Sequence, residues 1–517
     1  MTGTDSTHWR SDDARPPDGR AWDLLVVGGG TAGIVAARTA AGFGASVLLV
    51  ERARTGGDCL WTGCVPSKAL LAAAHAASAA RAAGRYGVHV DGVRPDFAAV
   101  MAHVHDRIAA IEPDDAPDTL RATGARVAQA TARFTGPEAV SLGGAAEPGA
   151  DSAVDVTFRR AVLATGSDPA VPPVPGLAAA APLTSDSVWA LTRLPERLLV
   201  LGGGAIGCEL GQALARLGAH VTVVEGESRL LPQEDPRAGE VLREALQRDG
   251  VRVHVGVALA SVQPGGSGAG VGVLADGTRV GFDRVLVAVG RTPRTRDLGL
   301  DLAGVGLDAR GHVVVDATLR TTNPRVLAAG DLTGHPALTH VAGVHGALAA
   351  SNAVLGLRRT VDPVVPRVTF TQPEVASVGV GAHDVAGRHG FTVRTVEHAH
   401  VDRAVAERET GGLTRLVLDR RGRLVGATVV GPRAGESLPE LVLAIRHGLR
   451  ARDLAAATHA YPTYGDGPWK AAIEQVQAGL RRQPLRAVTT ALTRLRRRGR
   501  PRAGSPDAAR PPRRRRR

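Results

Sequence analysis

Cysteine is nearly missing from this chain of 517 residues: there are three, and two of them, Cys59 and Cys64, fall in one short stretch. So few thiols exclude a fold stapled by disulfides. Lysine is scarcer still, because of 63 basic residues only Lys68 and Lys470 are lysine. Aromatics make up 3%. No run of ~20 uncharged apolar residues could span a bilayer, and no positively charged start leads into an apolar stretch, so neither a membrane span nor a secretory signal is expected. The expectation is a cytoplasmic protein. In a reducing compartment a lone close pair of cysteines points to redox chemistry or to a metal.

What is present is an apolar share of 44% and a charged share of 22%, a globular composition in a chain long enough for two to four domains. The net charge of +13 is uneven. Residues 481 to 517 hold fifteen arginines against one acid, Asp507, a net of +14 that leaves the rest of the chain at −1. Basicity therefore belongs to a tail, and both the tail and the polar opening at 1 to 20 are expected to be disordered.

Residues 23 to 51 run "DLLVVGGGTAGIVAARTAAGFGASVLLVE". An apolar strand meets Gly28, Gly30 and Gly33 at G-x-G-x-x-G spacing, an alanine-rich helix follows, and a second strand ends at Glu51. Glycines there let backbone approach a pyrophosphate at a helix N-terminus, and the acid accepts hydrogen bonds from an adenosine ribose. The same unit returns at 198 to 225, "LLVLGGGAIGCELGQALARLGAHVTVVE", with Gly202, Gly204 and Gly207, and Glu225 lies 23 residues past its first glycine just as Glu51 does. Two such units mean two dinucleotides. A close thiol pair beside the first makes the chain a conduit for electrons.

The pair sits in "GGDCLWTGCVPSK", residues 56 to 68, with four residues between the cysteines and Gly63 free to let a small ring close. A disulfide accepts two electrons and is regenerated by exchange. Zinc would need four ligands, and no second Cys/His pair lies nearby in sequence, so no metal site is expected. Cys208, inside the second glycine unit, reads as a core residue.

In these motifs, in their order, and in "VLATGSDPAVPPVPG" (162–176), "VAVGRTPRT" (287–295) and "TTNPRVLAAGDLTG" (321–334), the sequence resembles the FAD-dependent pyridine nucleotide-disulfide oxidoreductases. That family includes dihydrolipoyl dehydrogenase, glutathione reductase and mercuric reductase, and the resemblance covers roughly residues 22 to 480. It implies an α/β fold with two Rossmann-type domains and a C-terminal α+β dimerisation domain. FAD would occupy 21–165 and 290–360, the nicotinamide cofactor 166–289, and the dimerisation domain 363–480, in a homodimer. For FAD the resemblance implies Gly28, Gly30, Gly33, Glu51, Gly57, Lys68, Thr165, Gly166, Gly330, Asp331 and Leu338. For the nicotinamide cofactor it implies Gly202, Gly204, Ile206, Gly207, Glu225 and Gly290. Cys64 would contact the flavin and Cys59 would exchange with substrate, forming a redox-active disulfide. Lys68 would pair with Glu209, its compact ammonium set to stabilise charge on the reduced ring. Glu225 should bond a free ribose 2′-hydroxyl, which favours NADH over NADPH, although Arg229 is close enough in sequence to offer a 2′-phosphate a partner. Ala205 stands where glutathione reductases carry a gating tyrosine.

The third region departs from the family. Where dihydrolipoyl dehydrogenases and glutathione reductases have a His-Pro-Thr with a glutamate five residues past the histidine, as acid-base catalyst, this chain reads "HAYPTYGDG", with Tyr461 and Asp466 at those positions and His459 two residues early. Tyrosine, with a pKa near ~10, is a poor proton shuttle for thiol exchange. Mercuric reductases have tyrosine there, and "VDRAVAERETGG" (401–412) also resembles that branch, yet no cysteine follows Cys208 to deliver mercury. The reading is a mercuric-reductase-like enzyme with an unsettled acceptor, a small molecule or a thiol or disulfide. Dihydrolipoyl dehydrogenase is the alternative. A membrane-surface flavoprotein reducing a quinone-type acceptor stays open, because Leu485, Val488, Leu492 and Leu495 recur at helical spacing among arginines. A tail that contacts nucleic acid, or is simply solvated, stays open too.

Overall fold

A computed structural model describes residues 14–16, 19–144, 153–481 and 483–498. The first glycine unit builds a parallel sheet in the order Val326–Ala328, Val154–Leu163, Trp22–Val27, Val47–Glu51, Arg126–Gly136. These strands are nearly continuous apolar runs because both faces are covered, and Leu24, Leu25, Val26, Leu48 and Leu49 are fully buried. The outer parts of Arg126–Gly136 and Val154–Leu163 join Ala139–Gly144 as an antiparallel meander. Helix Thr31–Gly42 covers one face beside helix Thr339–Leu355. Alanine and glycine are required between them, since a Cβ at Gly346 would stand 2.2 Å from the Ala32 carbonyl oxygen.

The second unit repeats the plan. Its parallel sheet runs Arg284–Val287, Arg197–Leu201, His220–Glu225, Arg252–Val255, with an antiparallel meander Leu259–Pro264, Gly270–Leu274, Arg279–Phe282. The chain leaves and re-enters the first unit through two short antiparallel strands, Ser167–Pro169 and Arg291–Pro293. A third unit has five antiparallel strands in the order Pro366–Thr369, Glu374–Gly379, Leu424–Gly431, Leu413–Leu418, Thr392–Glu397, with helices Ala434–Arg446 and Asp466–Leu480 packed on it.

Two expectations of disorder need correction within the described residues. Ala14 is buried and its carbonyl accepts a 2.9 Å hydrogen bond from the Trp22 indole, so part of the opening is tied to the first sheet. Residues Gln483–Arg498 form a helix. Arginine and leucine are good helix formers, and the helical spacing of Leu485, Val488, Leu492 and Leu495 is the period this helix follows. The rest of the opening and of the tail lies outside the described residues.

Candidate active site

Each glycine unit is shaped by contacts no side chain could survive. A Cβ at Gly33 would stand 1.8 Å from the Gly28 carbonyl oxygen, and one at Gly207 1.9 Å from that of Gly202. Gly28 and Gly202 have φ of +107° and +105°. The helices that follow, capped by Gly30 and Gly204, have no side-chain cap, which leaves their first N–H groups for a phosphate. Glu51 accepts from Gly29 N at 2.7 Å and Ala53 N at 2.8 Å; Glu225 accepts from Gly203 N at 2.6 Å and Glu227 N at 2.8 Å. The two carboxylates are thus fixed in the same pose at the ends of equivalent strands, and the residues present fit a dinucleotide at both places. A cavity beside Glu51, lined by Arg54, Trp61, Glu112 and Gln129, continues the first site. Ile206 is exposed next to the second turn, and Gly290, with φ of +135°, borders that unit.

The thiol segment is pressed onto the first unit. Gly57, with φ of +58°, packs so tightly that a Cβ would lie 2.6 Å from Gly30 Cα, and Gly56 N donates to Gly29 O at 2.9 Å. Cys59 lies in the short helix Gly57–Trp61, and Cys64 opens the helix Cys64–Ala82. Between them Gly63 has its Cβ position 2.7 Å from Asp58 O, so only glycine fits the turn. Both sulfurs are free thiols in this structure, half-buried and hydrogen-bonded to each other.

They do not share charge equally. The Cys59 thiol, burial notwithstanding, holds the Cys64 pKa down to about 6, helped by Thr339, whose hydroxyl lies 3.1 Å from Cys64 Sγ, and by the Lys68 ammonium. Its place at a helix N-terminus acts in the same direction. Cys59 is raised, first by that hydrogen bond to Cys64 and then by burial. At neutral pH Cys64 is the thiolate and Cys59 keeps the proton.

Lys68 donates to Glu209 Oε2 at 2.9 Å, and its ammonium stands 4.2 Å from the centre of the Phe370 ring. The other Glu209 oxygen accepts from Phe370 N at 2.9 Å. Asp331 accepts from the Ser167 hydroxyl at 2.7 Å, and Arg291 donates to that same hydroxyl at 2.7 Å and to Asp58. Arg294 binds Asp168 at 2.6 Å and receives the Thr165 hydroxyl on its carbonyl at 2.7 Å, while its N–H reaches Gly166 O at 2.9 Å. Gly330, with φ of +89°, sets Asp331, and Leu338 caps the helix that brings Thr339 to Cys64. The second glycine helix begins at Ala205, half-buried, and Cys208 within it is fully buried with its sulfur on Gly203 O at 3.3 Å.

Tyr461 and Asp466 lie elsewhere, on the third unit. The Tyr461 side chain is exposed and its hydroxyl donates to Asp402 at 2.5 Å, a contact that raises its pKa. Asp466 begins the helix Asp466–Leu480, is 1% exposed, and neither carboxylate oxygen has a partner among the described residues. His459 stacks on Trp469 and pairs with Glu440 at 3.1 Å. Arg229 is turned away from Glu225, its guanidinium on Pro232 O at 2.7 Å.

Thr339, Arg291, Asp58 and Phe370 were not singled out from the sequence. Arg291 stands inside "VAVGRTPRT" and Asp58 inside the thiol motif, so their charges were visible there. Thr339 and Phe370 reach the site from 275 and about 300 positions along the chain, and no local pattern marks them. No group of three or more metal-ligating side chains is found among the described residues.

Comparison with known proteins agrees with this arrangement. The pyridine nucleotide-disulphide oxidoreductase family matches residues 22–346, and its dimerisation domain matches residues 365–472. Mercuric reductase of Streptomyces lividans is 38% identical over 455 residues, 86% of this chain and 94% of its own. Dihydrolipoyl dehydrogenase of Chlamydia muridarum is 34% identical over 473 residues, 90% of this chain and 99% of its own. Among solved structures, LpdA of Mycobacterium tuberculosis superposes with a TM-score of 0.80 at 28% identity, covering 87% of this chain and 99% of its own. The flavoprotein disulfide reductase RclA of Escherichia coli shares the fold at a TM-score of 0.78 and 22% identity, over 88% of this chain and 99% of its own. Two dinucleotide turns, a thiol pair pressed on the first and a matched dimerisation domain leave one conclusion: this chain belongs to the pyridine nucleotide-disulfide oxidoreductases, the NAD(P)H-dependent flavin disulfide oxidoreductases.

Proposed function

We propose that the protein, as a homodimer, passes electrons from NADH through FAD to the Cys59–Cys64 disulfide and from the dithiol to a thiol-seeking soft metal ion such as Hg(II). The observation that carries this is where the proton sits. Cys59, the sulfur assigned to exchange, is held protonated by Cys64, while the acid-base position is filled by a tyrosine whose hydroxyl is engaged by Asp402 with a raised pKa. A disulfide substrate needs a thiolate to attack it and a proton for its leaving sulfur. A soft metal ion displaces the thiol proton itself, because a coordinating thiol is deprotonated outright.

FAD, when bound, supplies two-electron transfer between the nicotinamide and the disulfide. The chain's own residues do the rest. Gly28, Gly30 and Gly33 receive the pyrophosphate of FAD, and Glu51 its ribose. Gly57, Thr165, Gly166, Gly330, Asp331 and Leu338 line the rest of that site. Lys68, held by Glu209, presents one positive charge beside the ring, and Thr339 keeps Cys64 as the thiolate. Gly202, Gly204, Ile206, Gly207, Glu225 and Gly290 receive the second dinucleotide. The turned-away Arg229 leaves Glu225 facing the 2′ position, which supports NADH. Overall, NADH and Hg(II) become NAD⁺, one proton and Hg(0), so charge and electrons balance.

The test is an anaerobic titration with NADH followed by a panel of oxidants: Hg(II) with excess thiol, lipoamide, glutathione disulfide and a soluble quinone. NADH oxidation that depends on Hg(II) and is lost in Cys59→Ser is the expected result. Turnover of lipoamide at ordinary rates would replace this reading with dihydrolipoyl dehydrogenase, and a quinone reaction that ignores Cys59→Ser would bypass the thiol pair altogether.

A further inference from the structure

The helix Gln483–Arg498 lies beyond the matched dimerisation domain, which ends at residue 472. Val488, Leu492 and Leu495 are 54%, 58% and 71% exposed. Steps of four and three residues align them on one side of the helix, while Arg486 and Arg494 fall, at ~100° per residue, on the opposite side. The three side chains of the stripe fall within eight residues, with no acid in the helix to interrupt it. Beyond it the chain continues to residue 517 with a further eight arginines from 500 onward.

We propose that this helix lies on an anionic lipid surface, its leucine and valine side chains at the level of the acyl chains and its arginines on the headgroup phosphates. The two halves of the surface must be used together, and that selects the partner. A nucleic acid offers phosphate and would leave the apolar stripe in water. A neutral bilayer offers hydrocarbon and would leave the arginines without counter-charge. An anionic bilayer meets both, and binding scales with buried apolar area plus attraction to acidic lipid. Sixteen residues of helix span about 24 Å, too short and too charged to cross a bilayer, so the helix lies along the interface. The body of the enzyme, nearly neutral without the tail, would be held beside the membrane without being part of it.

Full-length protein should co-sediment with phosphatidylglycerol vesicles at about 0.15 M salt and not with vesicles of phosphatidylcholine alone. The variant V488S/L492S/L495S, which keeps every arginine, should bind the anionic vesicles about tenfold or more weakly, on the scale of three apolar side chains returned to water. Its binding to duplex DNA should equal that of the unmutated chain. NADH-dependent reduction of a soluble acceptor should be unchanged in the variant and in a chain ending at residue 480, which shows that the enzyme is intact in both. Failure of the unmutated protein to bind anionic vesicles would overturn the proposal. So would anionic-vesicle binding that the triple variant retains in full, since the arginines alone would then account for it.

Discussion

Two sulfurs with four residues between them can hold one negative charge in two ways, and the surroundings of Cys59 and Cys64 choose one. Thr339, Lys68 and a helix N-terminus all act on Cys64, whereas the proton on Cys59 is held by its neighbour's charge. Reduction by NADH should therefore give a long-wavelength absorbance band from the Cys64 thiolate donating into the flavin ring. Cys59→Ser should keep that band and Cys64→Ser should lose it; a Cys64→Ser protein with the same band would reverse the assignment. The band has a definite pH dependence. With the Cys64 pKa near 6 it should be present above that pH and fade as the pH falls through it. Thr339→Val removes a hydrogen bond to a charged group, worth ~1.5–3 kcal/mol, and should move the midpoint up by about one unit or more. A titration of absorbance against pH reads both, and an unmoved midpoint would mean that the Thr339 hydroxyl does not act on the thiolate. The thiol pair and Lys68 were legible because each is rare in this chain. Thr339 was not, because a threonine is too ordinary to stand out and it meets Cys64 only through the packing of one helix against another.

At the scale of elements, the two strand-turn-helix-strand units were readable twice over: glycine spacing, apolar strands and the acid after the second strand all agree, and the structure shows why in the Gly33–Gly28 and Gly207–Gly202 approaches. Because the same contact occurs in both, the same substitution should separate the two cofactors. Gly33→Ala should cost bound FAD, since its Cβ meets backbone that cannot give way. Gly207→Ala should keep the FAD absorbance of the purified protein and lose reduction by NADH; a loss of FAD from Gly207→Ala would place the flavin in the wrong unit. Glu225→Gln should lower the preference for NADH over NADPH several-fold, the scale of ~1 kcal/mol for one weakened hydrogen bond. Because Glu225 also holds Gly203 N and Glu227 N, an equal loss with both cofactors would mean that its work is to shape the turn. The antiparallel meanders and the tail helix were not readable in the same way. The meanders lack a fixed motif, and the tail's arginines dominate its composition while the apolar period beneath them is only four positions long.

For the molecule as a whole, what matters most is that the thiols and Tyr461 belong to different units. Tyr461 is 67% exposed on the third unit, bonded to Asp402, and its own chain offers it no contact with Cys59 among the described bonds. On the proposed reading the family's acid-base position falls here at Tyr461, a group whose raised pKa makes it a poor proton carrier near neutral pH, with Asp466 buried and unpartnered among the described residues. If that is what turns disulfide substrates away, the block lies where substrate meets Cys59, and reduction of the enzyme by NADH is untouched. Tyr461→His with Asp466→Glu should then raise the rate of reoxidation by a small disulfide by up to ~10²-fold, the usual contribution of general acid-base catalysis. Asp466→Glu alone should do nothing, because a carboxylate without an imidazole to orient is no base for a thiol. Stopped-flow kinetics separates the two half-reactions. A double variant that speeds reduction and leaves reoxidation unchanged would show that the tyrosine position has no part in substrate choice, and selectivity would then have to come from the shape of the entrance to Cys59.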